Sequence, residues 1–346
     1  MATVTCALLI LGLVVCLPGE PGLPTFTLAF GGDVMLGRGV ARALSGDWSA
    51  AFAESAQRLA EADLALANLE SLLTNEPQRA DGYDLRAMPA AVGALHSAGF
   101  DAVSLANNHA LDAGKAGLAE TVATLESAGI AGVTSRATGR LVSRVPPIKS
   151  LRYQLFAFDD STVPLDVEAA ARQVTGGASQ AELAIISIHW GGEYQAAPSP
   201  RQRSIAEALA HAGADLVIGH GPHVLQPVER IGKTLVAYSL GNLLFDQLYP
   251  EDSRWGAILR VTLTSQGRMA FELLPTVTER GRVRPANPGE ARAILDRLSP
   301  ETGTECGSWQ GLKTWFALVQ LQSTIMMIHF AGGITCLPAR PSRAKE

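Results

Sequence analysis

Asp215-Leu-Val-Ile-Gly-His-Gly-Pro-His223 runs an apolar stretch straight into a Gly/Pro turn that carries two histidines. Leu216, Val217 and Ile218 read as a buried strand. A strand end fixes the backbone while the turn after it exposes the side chains, so imidazoles there are rigidly held and open to a ligand. The chain builds the same kind of ending four more times: Phe26–Phe30 leads into Gly31-Gly-Asp33, Ala62–Ala67 into Asn68-Leu-Glu70, Ala102–Ala106 into Asn107-Asn-His109, and Ala184–Ile188 into His189-Trp-Gly-Gly192. Asp, Glu, Asn and His, each on its own strand end, are the oxygen and nitrogen donors that a two-metal site needs.

Between Thr25 and Pro275 these apolar runs alternate with helix-like stretches at 50–61, 90–98, 117–128 and 201–212. Continuously apolar strands suit a sheet covered on both faces, so the alternation predicts an α/β domain with its chemistry at the strand ends. From Thr234 the pattern turns β-rich, through 234–239, 255–264 and 269–274, which predicts a second sheet rather than a second domain. Residues 289–298 read as a terminal amphipathic helix.

Composition narrows the chemistry. A formal net charge of −5 over 346 residues supplies no basic field for nucleic acid. The four cysteines are Cys6, Cys16, Cys306 and Cys336, so the body of the chain has neither a disulfide framework nor a thiolate metal site. A metal there must use His, carboxylate and amide ligands, which suits Mn, Fe, Mg or Zn.

The two ends differ from the body. Met1–Leu17 is uncharged and apolar before Pro18-Gly-Glu-Pro-Gly22. That length fits the core of an export signal better than a spanning helix of about 20 residues, although a basic start is missing. A first core strand is the alternative. The expected division is therefore 1–22 as signal or anchor, 23–300 as the domain, and 301–346 as an atypical tail. In the tail Trp315–Leu337 carries no Asp, Glu, Lys or Arg, but its glutamines and His329 make a weak membrane span.

Read in order, Gly31-Gly-Asp-Val-Met-Leu-Gly-Arg38, Ala67-Asn-Leu-Glu70, Ser104–Asp112, His189-Trp-Gly-Gly-Glu-Tyr194, Ala212–Gln226 and Tyr238-Ser-Leu-Gly-Asn242 form a specific series. With these clusters the chain resembles the CapA family, the poly-γ-glutamate capsule biosynthesis proteins, a branch of the calcineurin-like metallophosphatases. The resemblance covers about residues 26–275. It implies a four-layer αββα sandwich of two mixed sheets flanked by helices. It also implies two divalent metal ions and an extracytoplasmic protein acting on an anionic polymer or a phosphorylated small substrate, beside membrane-bound capsule synthesis proteins and without nucleic acid. Hydrolysis is one reading, and a non-catalytic role in polymer binding or transport is the other.

Residue by residue, the resemblance makes Asp33 the first metal carboxylate, where a helix N-cap over 34–44 is the alternative. The phosphatase pattern has a histidine two residues later. Met35 stands there instead, and a thioether is a poor ligand for a hard cation, so the first metal has one ligand fewer. Glu70 takes the place of the bridging aspartate. Asn108-His109 matches the pair in which the amide binds metal and the imidazole protonates the leaving group; Asn107 competes for the amide role. Asp112 lies three residues on, placed to orient His109. His189, His220 and His223 complete the ligand set, with His223 the safer of the last two. Glu193 is a candidate to hold a ligand imidazole or bind substrate, Asn242 to line the pocket. His96 and His211 read as surface residues.

Overall fold

The computed structural model describes residues 25–78, 82–134 and 147–299. The N-terminal segment 1–22 and the tail 301–346, with the roles expected of them, lie outside the described residues.

Two mixed sheets pack face to face. The first is built on β1 (Thr25–Val34), β2 (Leu64–Leu69), β3 (Ala102–Ser104) and β4 (Ala131–Val133), all parallel. Its helical cover is α1 (Arg38–Leu44), α2 (Ala56–Ala60), α3 (Val92–Ala98) and α4 (Gly114–Ser127). The second sheet has the order β5-β6-β7-β9-β8, from β5 (Tyr153–Asp159), β6 (Leu183–His189), β7 (Leu216–His220), β8 (Leu225–Ile231) and β9 (Thr234–Leu240). Only β8 runs antiparallel there. Its outer face is covered by α5 (Val167–Ala178) and α6 (Pro200–His211). The short β10 (Asn242–Leu244) pairs with the end of β1 and ties the two halves together.

Alternation along the strands explains the layering, because successive side chains point to opposite faces. Leu28 and Phe30 of β1 meet Ile185, Leu216, Ile218 and Leu235 between the sheets. Ala29 and Val34 face the α1–α4 layer, while Ile186, Val217 and Val236 face α5 and α6. Truncating such a buried side chain, for example Ile218→Ala, costs about 2–5 kcal/mol. Helix starts follow local chemistry. Ser199 and Gln202 form a reciprocal capping box at α6, and Asp166 caps α5 through Ala169 N–H.

The β-rich close differs from the sequence expectation. Only β9 enters the second sheet. β11 (Trp255–Thr264), β12 (Met269–Glu279) and β13 (Arg282–Pro285) extend the first, with β11 antiparallel to β1 from Thr25 to Phe30. An antiparallel strand reads alike whichever sheet edge accepts it, so sequence pattern cannot make that choice. The last helix, α7 (Pro288–Leu298), sets Ile294, Leu295 and Leu298 against the inter-sheet core. No helix among the described residues is long and apolar enough to cross a membrane.

Candidate metal centre

The parallel strands of both sheets deliver their C-terminal ends to one place. Asp33 lies in β1 and is in register with Asn68 of β2 and Asn242 of β10, so it is a strand residue, not a helix cap. His189 and His220 are register partners at the ends of β6 and β7. Glu70 follows β2 directly and donates its N–H to Val34 O at 2.9 Å. His223 sits in a left-handed conformation, φ 58°, just past the Gly221-Pro222 turn. Tyr194 N–H reaches Pro222 O at 2.8 Å and steadies that turn.

The side chains converge. Ligand atoms of Asp33, Glu70 and His189 all lie within 4.8 Å of one another, and all three residues are buried. His220 Nδ1 is 3.5 Å from Asp33 Oδ1, and His223 Nδ1 is 3.4 Å from Asp33 Oδ2. His223 Nε2 stands 3.8 Å from Glu70 Oε2, and His189 Nδ1 3.7 Å from Glu70 Oε1. Gly221 N–H donates to Asp33 Oδ2 at 3.2 Å, joining the second sheet's turn to the first sheet's carboxylate.

Hydrogen bonds settle several orientations. Asn242 donates through Nδ2 to Ser253 O at 2.8 Å and to Gln247 Oε1 at 3.0 Å. Its Oδ1 therefore accepts from His223 Nδ1 at 2.9 Å, so that Nε2 is the nitrogen turned toward Glu70 and the one that offers a lone pair once the ring gives up its second proton. Asn68 Nδ2 reaches Asp33 Oδ1 at 2.9 Å and Glu70 Oε1 at 3.1 Å.

Charge follows geometry. Burial pushes Glu70 up to about 7, with the His223 charge opposing and the Asp33 charge adding. Burial would also raise Asp33, but the His220 and His223 imidazoles reverse it and hold the carboxyl well below its ordinary value. Burial drives His189 down to about 4 against the pull of Asp33, so its ring is neutral and able to ligate at neutral pH. For His223 burial is outweighed by Glu70 and Asp33, which lift it to about 10.

These residues fit a divalent cation. Two carboxylates and three imidazoles form the hard-to-borderline donor set that such ions take. Glu70 Oε2 and both ring nitrogens of His220 are buried without a hydrogen-bond partner. Each such group costs on the order of 1–3 kcal/mol unless something satisfies it.

The other expected residues are placed differently. His109 is on the rim, with Nδ1 2.8 Å from Asp112 Oδ2. Burial pulls its pKa down, but the Asp112 hydrogen bond and the Glu70 charge outweigh that and raise it. Asn108 is not brought into the cluster: it is exposed, with Nδ2 3.2 Å from His109 Nε2. Asn107 is the amide that turns inward, because Asn68, Leu69 O and His109 N–H offer it partners there. Met35 is fully buried in the layer facing α1–α4, and its sulfur accepts Gly37 N–H at 3.0 Å. Glu193 is exposed on the 190–199 loop, near enough for its charge to raise Glu70. His96 and His211 are exposed.

Sequence reading passed over the support of that loop. Buried Gln226 donates to Gln195 O at 2.7 Å and accepts from Gln202 at 2.8 Å. It also passed over Arg38, whose bidentate pair with Asp246 (2.7 and 3.2 Å) lies beside the Tyr83 ring. Gln226 and Arg38 both sit inside the quoted clusters, which was the only signal for them.

Two mixed sheets between helices, with carboxylates and imidazoles meeting at the strand ends, define a protein of the metallophosphatase fold. A solved structure described as a novel phosphatase from Mycoplasma pneumoniae superposes with a TM-score of 0.50 at 12% identity, covering 80% of this chain and 100% of that one. The chain belongs to the bacterial capsule synthesis protein family PGA_cap, whose pattern matches residues 27–247. It is 28% identical to the capsule biosynthesis protein CapA of Bacillus anthracis over 80% of this chain and 73% of that protein. The PGA biosynthesis protein CapA of Bacillus subtilis is also 28% identical, over 71% of this chain and 70% of that one. A probable polyglutamine synthesis accessory protein of Mycobacterium tuberculosis is 27% identical over 82% and 93%.

Proposed function

We propose that this chain is a metal-dependent hydrolase of poly-γ-glutamate capsule or related envelope-polymer biosynthesis, working outside the cytoplasm. The observation that carries the reading is the buried meeting of Asp33, Glu70 and His189, with His220 and His223 against the same carboxylates. Those five residues would hold two divalent ions of the Mn, Fe, Zn or Mg type. When bound, such ions supply Lewis acidity toward a phosphoryl or acyl oxygen and acidify water.

The chain's own residues supply the rest. Glu70, with one oxygen toward His189 and the other toward His223, would be a carboxylate ligand for the metal. Asn242 fixes His223 so that Nε2 points inward. Asp112 holds Nδ1 of His109 and favours the imidazolium, leaving the Nε2 proton for a leaving group. The substrate is an anionic polymer or a phosphorylated small molecule, and membrane-bound capsule synthesis proteins are the expected partners.

Metal content of the purified protein, followed by phosphodiesterase and γ-glutamyl hydrolase assays with Mn, tests this. Bound metal and a turnover abolished by metal removal support it; protein that takes up no metal refutes it. A second reading, a non-catalytic polymer-binding component, is favoured by the core position of Met35 and the exposure of Asn108, where the phosphatase pattern has ligands. Metal-dependent polymer binding without hydrolysis of either substrate class would select it.

A further inference from the structure

Two carboxamides join the metal carboxylates to the loop that carries His109. Asn68 is fully buried, and its two amide hydrogens serve Asp33 Oδ1 at 2.9 Å and Glu70 Oε1 at 3.1 Å. His189 Nδ1 lies further off, at 3.4 Å. The opposite side of the same group, Oδ1, accepts from Asn107 Nδ2 at 3.0 Å. Asn107 Nδ2 gives its second hydrogen to Leu69 O at 2.9 Å, and Asn107 Oδ1 accepts His109 N–H at 3.1 Å. Neither carboxamide can be flipped. A reversed Asn68 would turn an oxygen on two carboxylates, and a reversed Asn107 would turn an oxygen on a carbonyl.

We infer that Asn68 is a positioning residue which clamps Asp33 and Glu70 together and, through Asn107, sets His109 relative to them. Three observations support this. Asn68 is in parallel register with Asp33, so sheet geometry fixes where its amide lies. Two carboxylates brought this close in a buried setting repel each other, and the shared NH₂ group offsets that before any cation arrives. The path then continues without a gap to the backbone of His109, whose ring is separately tied to Asp112. Asn107 is accordingly a structural link rather than a metal ligand, since its donors and its acceptor all engage protein atoms. The inference rests on the metal reading of the site for its first half only; the link to the His109 loop stands independently.

The full chain with Asn68→Asp, Asn68→Ala or Asn107→Ala separates these parts. Asn68→Asp keeps the shape and the oxygen facing Asn107 but replaces the donor between the carboxylates by an acceptor. Its metal-free Tm is expected to fall and the rise in Tm on adding Mn to exceed that of wild type, while amide exchange in 105–113 stays as in wild type. Asn107→Ala should leave Mn affinity within about threefold of wild type and raise exchange in 105–113 by roughly tenfold or more, because the loop loses three hydrogen bonds. Asn68→Ala removes the clamp without adding a charge and removes the link as well, so it should weaken Mn by roughly 10–100-fold, as loss of a ligand's hydrogen-bond partner does, and raise exchange in 105–113. If Asn68→Ala fails to fold, the isosteric Asn68→Asp still decides the clamp. An Asn68→Asp protein with unchanged metal-free Tm and unchanged Mn increment would overturn the clamp, and unchanged exchange in Asn107→Ala would overturn the link. A wild-type protein that Mn does not stabilise would instead refute the metal reading, leaving the link to be judged by exchange alone.

Discussion

Gly221 offers a way to disturb the metal centre without touching a ligand. Its φ is +105°, and a Cβ placed on it would lie 2.8 Å from His189 Nε2 and 2.9 Å from Trp190 O. An alanine there meets two separate penalties. A non-glycine residue in that sparsely populated region costs on the order of 1–3 kcal/mol. Forcing a methyl against a packed ring and a carbonyl adds typically about 1–3 kcal/mol more. Gly46 isolates the first penalty, because its φ is +90° yet a Cβ there meets nothing within 4 Å. Taking about 3 kcal/mol for Gly221→Ala, and roughly 2–4 °C per kcal/mol for a domain of this size, Tm should fall by about 6–12 °C. Gly46→Ala should fall by no more than about half of that. The two variants also diverge with metal. Pushing His189 Nε2 swings Nδ1, which faces Glu70 at 3.7 Å, so Gly221→Ala should lose much of its Mn response. Wild type and Gly46→Ala should keep the full rise, about 2.7 kcal/mol at 100 times Kd. Differential scanning fluorimetry with and without Mn reads both quantities. Equal Tm values for the two alanine variants, with an equal Mn response, would refute the claim that His189 is held against Gly221.

Further outcomes concern metal, pH and location. His223→Ala should lose metal, since it removes an inward nitrogen, while His109→Ala should keep metal and slow turnover by roughly 10²–10⁴-fold; elemental analysis and kinetics compare them, and equal metal loss in both would make His109 a ligand. In the metal-free protein Glu70 is raised to about 7 and His223 to about 10, so a cation must displace protons that are present at pH 6. Mn affinity should therefore rise between about pH 6 and 8 with release of about 1–2 protons, measured by calorimetry in buffers of different ionisation enthalpy. An affinity flat across that range contradicts this. A reporter fused after residue 30 should be found outside the cytoplasm and be retained inside once residues 2–17 are deleted; retention of both would count against export.

The sandwich was legible because both sheets are largely parallel and covered. Such strands read as unbroken apolar runs, and each ends in a turn that polar residues mark: Asp33 after β1's run, Asn68 and Glu70 after β2's, His189 after β6's, His220 on β7. What sequence left open was contact between distant segments. The choice of β1 as the partner for β11 depends on which edge is free once the parallel strands have assembled, and no local pattern encodes that.

The amides show the same limit at the scale of a single side chain. Asn107 and Asn108 are neighbours with identical chemistry, and residue type cannot say which one turns inward. The structure separates them by partners. Asn107 finds an acceptor in Asn68 Oδ1, a second in Leu69 O and a donor in His109 N–H, all from the end of β2 and the turn itself. Asn108, one residue on, has only the His109 ring and solvent. Buried amides persist where every donor and acceptor is met, so the fold selects the residue whose bonds can all be made. The selection depends on Asn68, which the sequence shows only as an amide two residues before Glu70. Its amide answers to two carboxylates on one side and to the His109 loop on the other. The placement of the ligands and the placement of the proton donor are thus joined through a residue that is neither ligand nor donor.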